Sequence, residues 1–438
     1  QNLPCLEELA DAQTEAKALL NDVRTQLKEW MGRKGRSPAL FQIPKRFPLL
    51  FGRPLAELDE AGRTTYTEAD LLASAFFLLS DWPQTYIGED QRDAHGRIPY
   101  ARSIQGKLGM GEFPLVDLYG ELLAHWLGWS GLQAEKRSWN GRRHGLAITM
   151  DIDNLRKHPL SLLWRESRNL FRKAPDPPEY ALGARSKPRR YAKALRQSAA
   201  LRNPFKSSVL SALDRFAERS YPCTLFLKAP VRSDPRDARD YLTLRFVDRL
   251  MERLRQLGAE AGYHSSYQAG YAPELFEKEH TRLAGRLGRE VTLHRAHYLR
   301  YDPESATELL ERQGVRVDSS LGWADFIGYR ASTTHPHRIF DRKRNRPSEV
   351  WELPMNMMDA QLMRYMNLTV EEALAHTELQ LLLASRFGGV TVWNFHHHIY
   401  DELDAPGWSG LFEGALDMIP EYGPHVGSLS QLVDGLEV

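Results

Sequence analysis

Two carboxylates one residue apart, Asp151 and Asp153, close a short apolar run, Gly145-Leu-Ala-Ile-Thr-Met-Asp-Ile-Asp153. A buried acid without a partner is costly, so a strand ending this way implies a metal ion, a base, or both. The plainer alternative is an acid pair capping the next helix. Other chemistry-bearing residues stand at the ends of later apolar runs: His264, then Arg295, His297 and Tyr298, then His396-His397-His398. Residues two apart in an extended strand point the same way, so Asp151 and Asp153 can approach one ion. Two imidazoles and one carboxylate make an open three-ligand site suited to zinc or a similar divalent ion. Any one of these histidines alone reads as structural, and the His triplet alone as a surface patch. Four strand ends agreeing carries more weight.

The elements that must position these residues begin at residue 145. Strands are expected at 145–151, 223–229, 259–265, 293–299, 315–321, 349–355 and 389–396. Between them lie helical patterns such as Tyr241–Leu257, Pro273–Leu287, Ser305–Gln313 and Val370–Phe387. That alternation predicts an α/β fold with about seven βα units in a barrel, the site lying at the strand C-termini. Residues 1–143 read as a mainly helical region packed on the 144–438 barrel. It has an amphipathic helix from Leu6 to Trp30, a loop over 38–54, a helix from Thr67 to Ser80 with a threonine cap, and an apolar helix over 114–129. Asp93, His95 and Arg97 fall in a polar loop that most simply ties two helices together. A basic insertion over 184–206 carries Arg185, Lys187, Arg189, Arg190, Lys193, Arg196, Arg202 and Lys206. It reads as a solvated helical insertion, or more sharply as a contact for an anionic polymer or lipid-linked phosphate.

Composition narrows the class. The 438 residues suit two or three domains. A net charge of +1 gives no global electrostatic case for nucleic acid or membrane. Two cysteines, Cys5 and Cys223, cannot build a disulfide framework or zinc ribbon, and a buried Cys223 fits a reducing compartment. No apolar run is long enough to span a membrane. The first residue is Gln1, which implies a trimmed product, and the expected location is cytoplasmic.

In order and spacing, several stretches together resemble the polysaccharide deacetylase (NodB-homology) family. They are Asp70–Trp82, Arg92-Asp-Ala-His-Gly-Arg97, Thr149-Met-Asp-Ile-Asp153, Gly262–Ala269, Arg295-Ala-His-Tyr-Leu299, Asp318–Trp323, Gly328-Tyr-Arg330, and Phe395-His396 with Pro406-Gly-Trp408. The likeness is to a branch with a helical N-terminal region and an Asp-x-Asp first motif. It implies a distorted (β/α)7 barrel and metal-dependent removal of an acetyl group from an N-acetylated sugar. Carried over, Asp151 resembles the general base, Asp153 and His264 the metal ligands, Arg295 the arginine that orients the base, and His396 the acid that protonates the leaving amine. Tyr298 sits where a backbone N–H can face the oxyanion. The family's second histidine is replaced by Gln268, and His297, at the usual proline position, is expected to supply the missing imidazole.

The resemblance thus implies a metal-dependent carbohydrate N-deacetylase, with a divalent metal, zinc first, as cofactor. Its partner would be an N-acetylated glycan of the cell envelope or capsule, or its sugar precursor. Gln268 favours the alternative of an impaired barrel that binds a glycan as scaffold or regulator. A third reading is another metal-dependent hydrolase in which Arg330 and the basic segment hold an anionic group. Arg330 reads equally as a substrate-binding residue or a rim salt bridge, and Asp318 as a brace for Arg295 or a ligand histidine.

Overall fold

The structure, a computed structural model, describes residues 7–8, 14–37, 40, 43–132, 135–157, 159–171, 187–199, 203–237, 240–302 and 305–436. Arg185 and Arg202 of the basic insertion lie outside these residues. Near the N-terminus, strand β1 (Glu7–Glu8), helix α1 (Thr14–Arg33) and strand β2 (Pro48–Leu49) precede a hairpin of β3 (Gly52–Leu58) and β4 (Thr64–Ala69). Helices α2 (Leu71–Leu79), α3 (Ile104–Leu108) and α4 (Leu115–Trp129) follow. Helix α1 buries Ala16, Leu20, Val23, Leu27, Trp30 and Met31, one helical face, in a core shared with Leu115, Leu118 and Leu122 of α4.

Three expectations shift here. The helix expected from Leu6 to Trp30 spans Thr14–Arg33, because Glu7 and Glu8 pair as a strand with Leu49 and Pro48. Part of the stretch expected as a loop over 38–54 is strand, and the hairpin turn is built by Asp59, whose carboxylate accepts from the Ala61 and Arg63 N–H groups. The helix expected from Thr67 starts at Leu71, because residues 64–69 belong to β4. Asp70, whose side chain accepts from the Ala73 N–H, is the cap.

The chain then alternates as expected. Strand β5 (Gly145–Ile152) is followed by α5 (Pro159–Phe171), α6 (Lys187–Ala199) and α7 (Pro204–Arg219), then by β6 (Thr224–Leu227) and α8 (Arg245–Leu257). Next come β7 (Glu260–Ser265), α9 (Pro273–Leu287), β8 (Leu293–Ala296), α10 (Ala306–Arg312) and β9 (Val317–Asp318). Strands β10 (His337–Asp341), β11 (Arg346–Glu352) and β12 (Met357–Met358) lead to α11 (Val370–Phe387) and β13 (Val390–His396). The chain closes with α12 (Ser409–Tyr422), β14 (His425–Val426) and α13 (Leu429–Asp434).

The strands form one curled sheet in the order β10-β11-β9-β8-β7-β6-β5-β13-β12, with β14 beside the start of β5. Every pairing in it is parallel except β10 with β11. β11 pairs with β9, and β12, a few residues later on the same segment, pairs with β13. Between them Asn356 Oδ1 accepts the Val392 N–H at 2.8 Å, a side chain standing in for a backbone acceptor.

Alternation along the strands sorts the residues. Leu146, Ile148, Met150 and Ile152 of β5 join Leu225, Leu227, Tyr263, Trp393 and Phe395 in the core against the helices. Each such large apolar side chain contributes about 1.5–3 kcal/mol on burial. The opposite parity, Ala147, Phe226, Leu293 and Val392, forms a separate cluster on the inner face. Thr149, Asp151 and Asp153 share that inner parity, as do Lys228, His264, Arg295, Asn394 and His396.

Three expected strands differ in extent. The one at 293–299 stops at Ala296, because Tyr298 and Leu299 turn back with φ of 59° and 53°. The one at 315–321 is reduced to Val317–Asp318. The one at 349–355 lies mostly in the second arm of the β10–β11 hairpin, and no strand is expected over its first arm, His337–Asp341.

Candidate metal centre

Strand register brings the inward residues to one end of the sheet. His396 lies opposite Asp151 across β13 and β5, and His264 opposite Arg295 across β7 and β8. Just past the end of β5, Asp153 Oδ1 lies 3.2 Å from His264 Nε2 and 3.3 Å from His297 Nε2. One ligand atom from each of these three residues falls within 4.8 Å of the others. His264 Nδ1 lies 2.9 Å from the Arg295 carbonyl, which can only accept, so in the neutral ring Nε2 carries the lone pair. Asp153 Oδ1 and His264 Nε2 are both buried without a hydrogen-bond partner among the described residues. Two acceptors facing one another call for a cation, and one carboxylate with two imidazoles is a zinc-type donor set.

His297 is prepared for the same role. Its Nδ1 hydrogen-bonds Asp237 Oδ1 at 2.8 Å, and Asp237 is ion-paired with Lys228 at 2.5 Å. Burial, and then the Lys228 ammonium, push the His297 imidazole down to about 4, so it is neutral at pH 7 as a ligand must be. Burial alone would raise the Asp153 carboxyl. The charged His396 imidazolium and Lys228 ammonium act against it, and the acid is held well below its ordinary range.

Asp151 stands beside this trio in a different environment. Arg295 Nη1 donates to its Oδ1 at 3.1 Å and the Asn394 amide to its Oδ2 at 2.8 Å. Arg295 is fully buried and is fixed by Thr149 Oγ1 at 2.6 Å, Asn394 Oδ1 at 2.8 Å and the Ser319 carbonyl at 2.9 Å. On the other side, His396 Nε2 is 3.7 Å from Asp153 Oδ2. Its Nδ1 bonds Asp359 Oδ1 at 2.5 Å, and its backbone N–H donates to the other Asp359 oxygen at 2.8 Å. Against burial, which would lower it, the Asp359 carboxylate pushes the His396 imidazole up to about 9.

These residues open into a cavity also lined by Tyr298, Arg97, Arg364, Tyr365 and His398. Arg97 comes from the N-terminal region and donates to the Tyr298 carbonyl at 2.9 Å, holding the turn that follows β8. Thus Asp151, Asp153, His264, Arg295, His297, Tyr298 and His396 are brought together.

Two expected residues are not. Arg330 donates to the Gly322 carbonyl and pairs with Asp81, both at 3.1 Å, and it lines a separate cavity. It occupies the salt-bridge role, because Asp81 gives its buried charge a counter-ion. Asp318 bonds neither a ligand histidine nor Arg295. It accepts from His294 at 2.7 Å and from Ser320 at 2.7 Å, since His294 has the outward parity in β8. Gln268 also turns away, donating to Asp234 at 2.8 Å.

The sequence reading missed Lys228, Asp237, Asp359 and Asn394. Lys228 and Asn394 did carry a signal, as polar residues of inner parity in apolar strands. Asp359 follows β12, past the point where the expected strand ended. Asp237 lies in a loop with Asp234 and Asp240, where no local pattern distinguishes one acid from another.

Residues 9–130 match the model of a family of unknown function (DUF7033). No curated protein matches the chain. Among solved structures, the chain is similar to a protein of Mycobacterium smegmatis assigned as a polysaccharide deacetylase. The two share 18% identity at a TM-score of 0.45, over 69% of this chain and 94% of that one. It is also similar to an allantoinase (12%, TM-score 0.41, 67% and 90% covered) and to a Bacillus cereus polysaccharide deacetylase (12%, 0.33, 65% and 91%). Likenesses this distant assign no role to any residue.

Proposed function

We propose that this chain is a metal-dependent hydrolase that removes the acetyl group from an N-acetylated sugar of a cell-envelope or capsular glycan or its precursor. The observation that carries the reading is the buried pair Asp153 Oδ1 and His264 Nε2, without a hydrogen-bond partner among the described residues, with His297 completing a three-ligand set. A distorted (β/α)7 barrel is the architecture we infer. The segment spanning β11 and β12, which pairs with β9 and then β13, would supply its seventh position.

Asp153, His264 and His297 would hold the ion, zinc first. When bound it polarises the acetyl carbonyl and lowers the pKa of water. Asp151, aimed by Arg295 and Asn394, takes the proton from the attacking water. His396, kept charged by Asp359, returns a proton to the leaving amine nitrogen. The division suits the two environments, since one acid is braced by donors and one imidazole by an acceptor. The Tyr298 backbone N–H would face the developing oxyanion, a contact of the kind worth about 2.7–4 kcal/mol.

The test joins metal analysis to acetate release from N-acetylated oligosaccharides. The wild type should hold one divalent ion and release acetate. Asp151→Asn should keep the ion and lose activity by about 10²–10⁴-fold. Protein that binds no divalent ion, or an Asp151→Asn variant with full activity, would overturn the reading.

A further inference from the structure

Between β5 and β6 the chain runs out through the helix pair α5 and α6, which is fastened beside the site. Lys157 pairs with Asp401 and, at 2.7 Å, with Asp404. Arg165 also pairs with Asp404 at 3.0 Å, and Lys193 pairs with Glu402 at 3.2 Å. These acids lie on the turn directly after His396–His398, so the pair stands at the rim of the metal cavity. The inward residues of the two helices are accounted for, with Arg190 on Glu166 at 3.2 Å and Leu162 against Ala194 and Leu403.

The outward face is not what water selects. Leu160, Trp164, Arg168 and Phe171 recur at i, i+4, i+8 and i+11, a single stripe of α5. Leu160 and Trp164 are each 63% exposed and Phe171 is 85% exposed. On α6, Leu195 is 48% exposed, and Arg189 and Arg196, seven residues apart, are exposed on one side of the helix. Exposed apolar residues scattered singly need no explanation, but an aligned stripe does. Its charges are all of one sign. The Arg168 guanidinium lies 4.7 Å over the Trp164 ring. Among the described residues, Arg168, Arg189 and Arg196 form no ion pair, and the one acid of the two helices, Glu166, is buried.

We propose that the exposed face of the α5–α6 pair docks on an anionic membrane surface and presents the metal cavity to a lipid-linked glycan. The choice of occupant follows from composition. Trp, Phe and Leu interleaved with arginine is the make-up of a helix lying in a lipid interface. There the rings settle at headgroup level while guanidinium groups reach the phosphates. The absence of exposed acids among the described residues of the two helices removes the repulsion that such a surface would impose. The substrate half of the proposal rests on the deacetylase reading above; the docking half does not.

The test measures partition of the full chain onto vesicles of phosphatidylcholine alone or mixed with phosphatidylglycerol. The wild type should bind the mixed vesicles, bind phosphatidylcholine weakly, and be released by salt. Trp164→Glu/Phe171→Glu should lower partition at least tenfold. Arg168→Ala, Arg189→Ala and Arg196→Ala should each lower it by about fivefold. All should keep the wild-type metal content and melting curve. No wild-type binding to anionic vesicles, or equal binding by the double variant, overturns the docking surface. So does a wild-type dimer that becomes monomeric in the double variant without vesicle binding, since a second copy would then be the occupant. Asp151→Asn should bind vesicles normally without releasing acetate, whereas wild-type partition without acetate release overturns the deacetylase reading alone. With an N-acetylated glycan on a lipid anchor, wild-type release should exceed that from the free glycan at least tenfold. Equal rates overturn the lipid-linked substrate.

Discussion

Replacing Asp237 by Asn probes the metal centre without altering any atom that would hold the ion. Asp237 accepts from His297 Nδ1 at 2.8 Å and neutralises Lys228, whose side chain is 1% exposed and whose ammonium is 2.5 Å away. The amide keeps the shape and an acceptor oxygen but loses the charge. The imidazole becomes less basic, and an uncompensated ammonium is left beside a site that must accept a dication. Substitutions of this kind behind a ligand cost about 10–100-fold in metal affinity, and the orphaned charge points to the upper end. A hundredfold loss corresponds to about 2.7 kcal/mol. Breaking the buried pair should also cost about 3–5 kcal/mol of folding stability. Adding Lys228→Met removes the orphaned ammonium, so the double variant should regain most of the stability while keeping about a tenfold metal defect. Zinc competition against a chromogenic chelator reads the first quantity, and urea unfolding with chelator present reads the second. Unchanged zinc affinity in Asp237→Asn would refute His297 as a ligand, and unchanged stability would refute the buried Lys228–Asp237 pair.

Three further outcomes are expected. In the metal-free protein the His396 imidazole should titrate at about 9 by NMR, and Asp359→Asn should bring it toward 6.5. Because the folded value is raised, the pair stabilises the fold below pH 6.5, and that contribution is lost as pH rises through about 9. A His396 pKa unmoved in Asp359→Asn would remove Asp359 as its partner. His144 is 1% exposed, and burial followed by Arg143 pushes it down to about 4 from 6.5. The unfolded chain takes the proton first, so stability should fall by about 3 kcal/mol as pH drops from 6.5 to about 4. Urea unfolding of His144→Leu should flatten that limb, and an unchanged slope would count against a neutral buried imidazole. Arg330→Met should cost about 3 kcal/mol by stranding Asp81, with KM for an N-acetylated oligosaccharide unchanged. A raised KM at unchanged stability would return Arg330 to the substrate site.

The strand-end residues were legible because parity and strand polarity are local rules. Asp151, Asp153, His264, Arg295 and His396 needed only the assumption that parallel strands deliver their C-termini to one rim. Hairpins β3–β4 and β10–β11 were hidden by their chemistry. Their strands are half exposed and mix charges with apolar residues, so no buried run marks them. Arg330 shows the opposite limit. A buried arginine announces that it needs an anion, but an Asp81 carboxylate 249 positions away and a substrate anion look the same in one dimension.

Taken alone, the sequence determined which strands end in acids and imidazoles, and that Asp151 and Asp153 must share a face, because the period of an extended chain is two. It also carried the expectation that His297 would replace the imidazole absent at Gln268. Only the tertiary structure decided how those groups are set against one another. Asp153 lies with two imidazoles while Asp151 is held by Arg295 and Asn394, because their neighbours come from different strands. Asp237, Lys228 and Asp359 entered in the same way, since a charge partner is selected by distance in space and leaves no spacing in the chain.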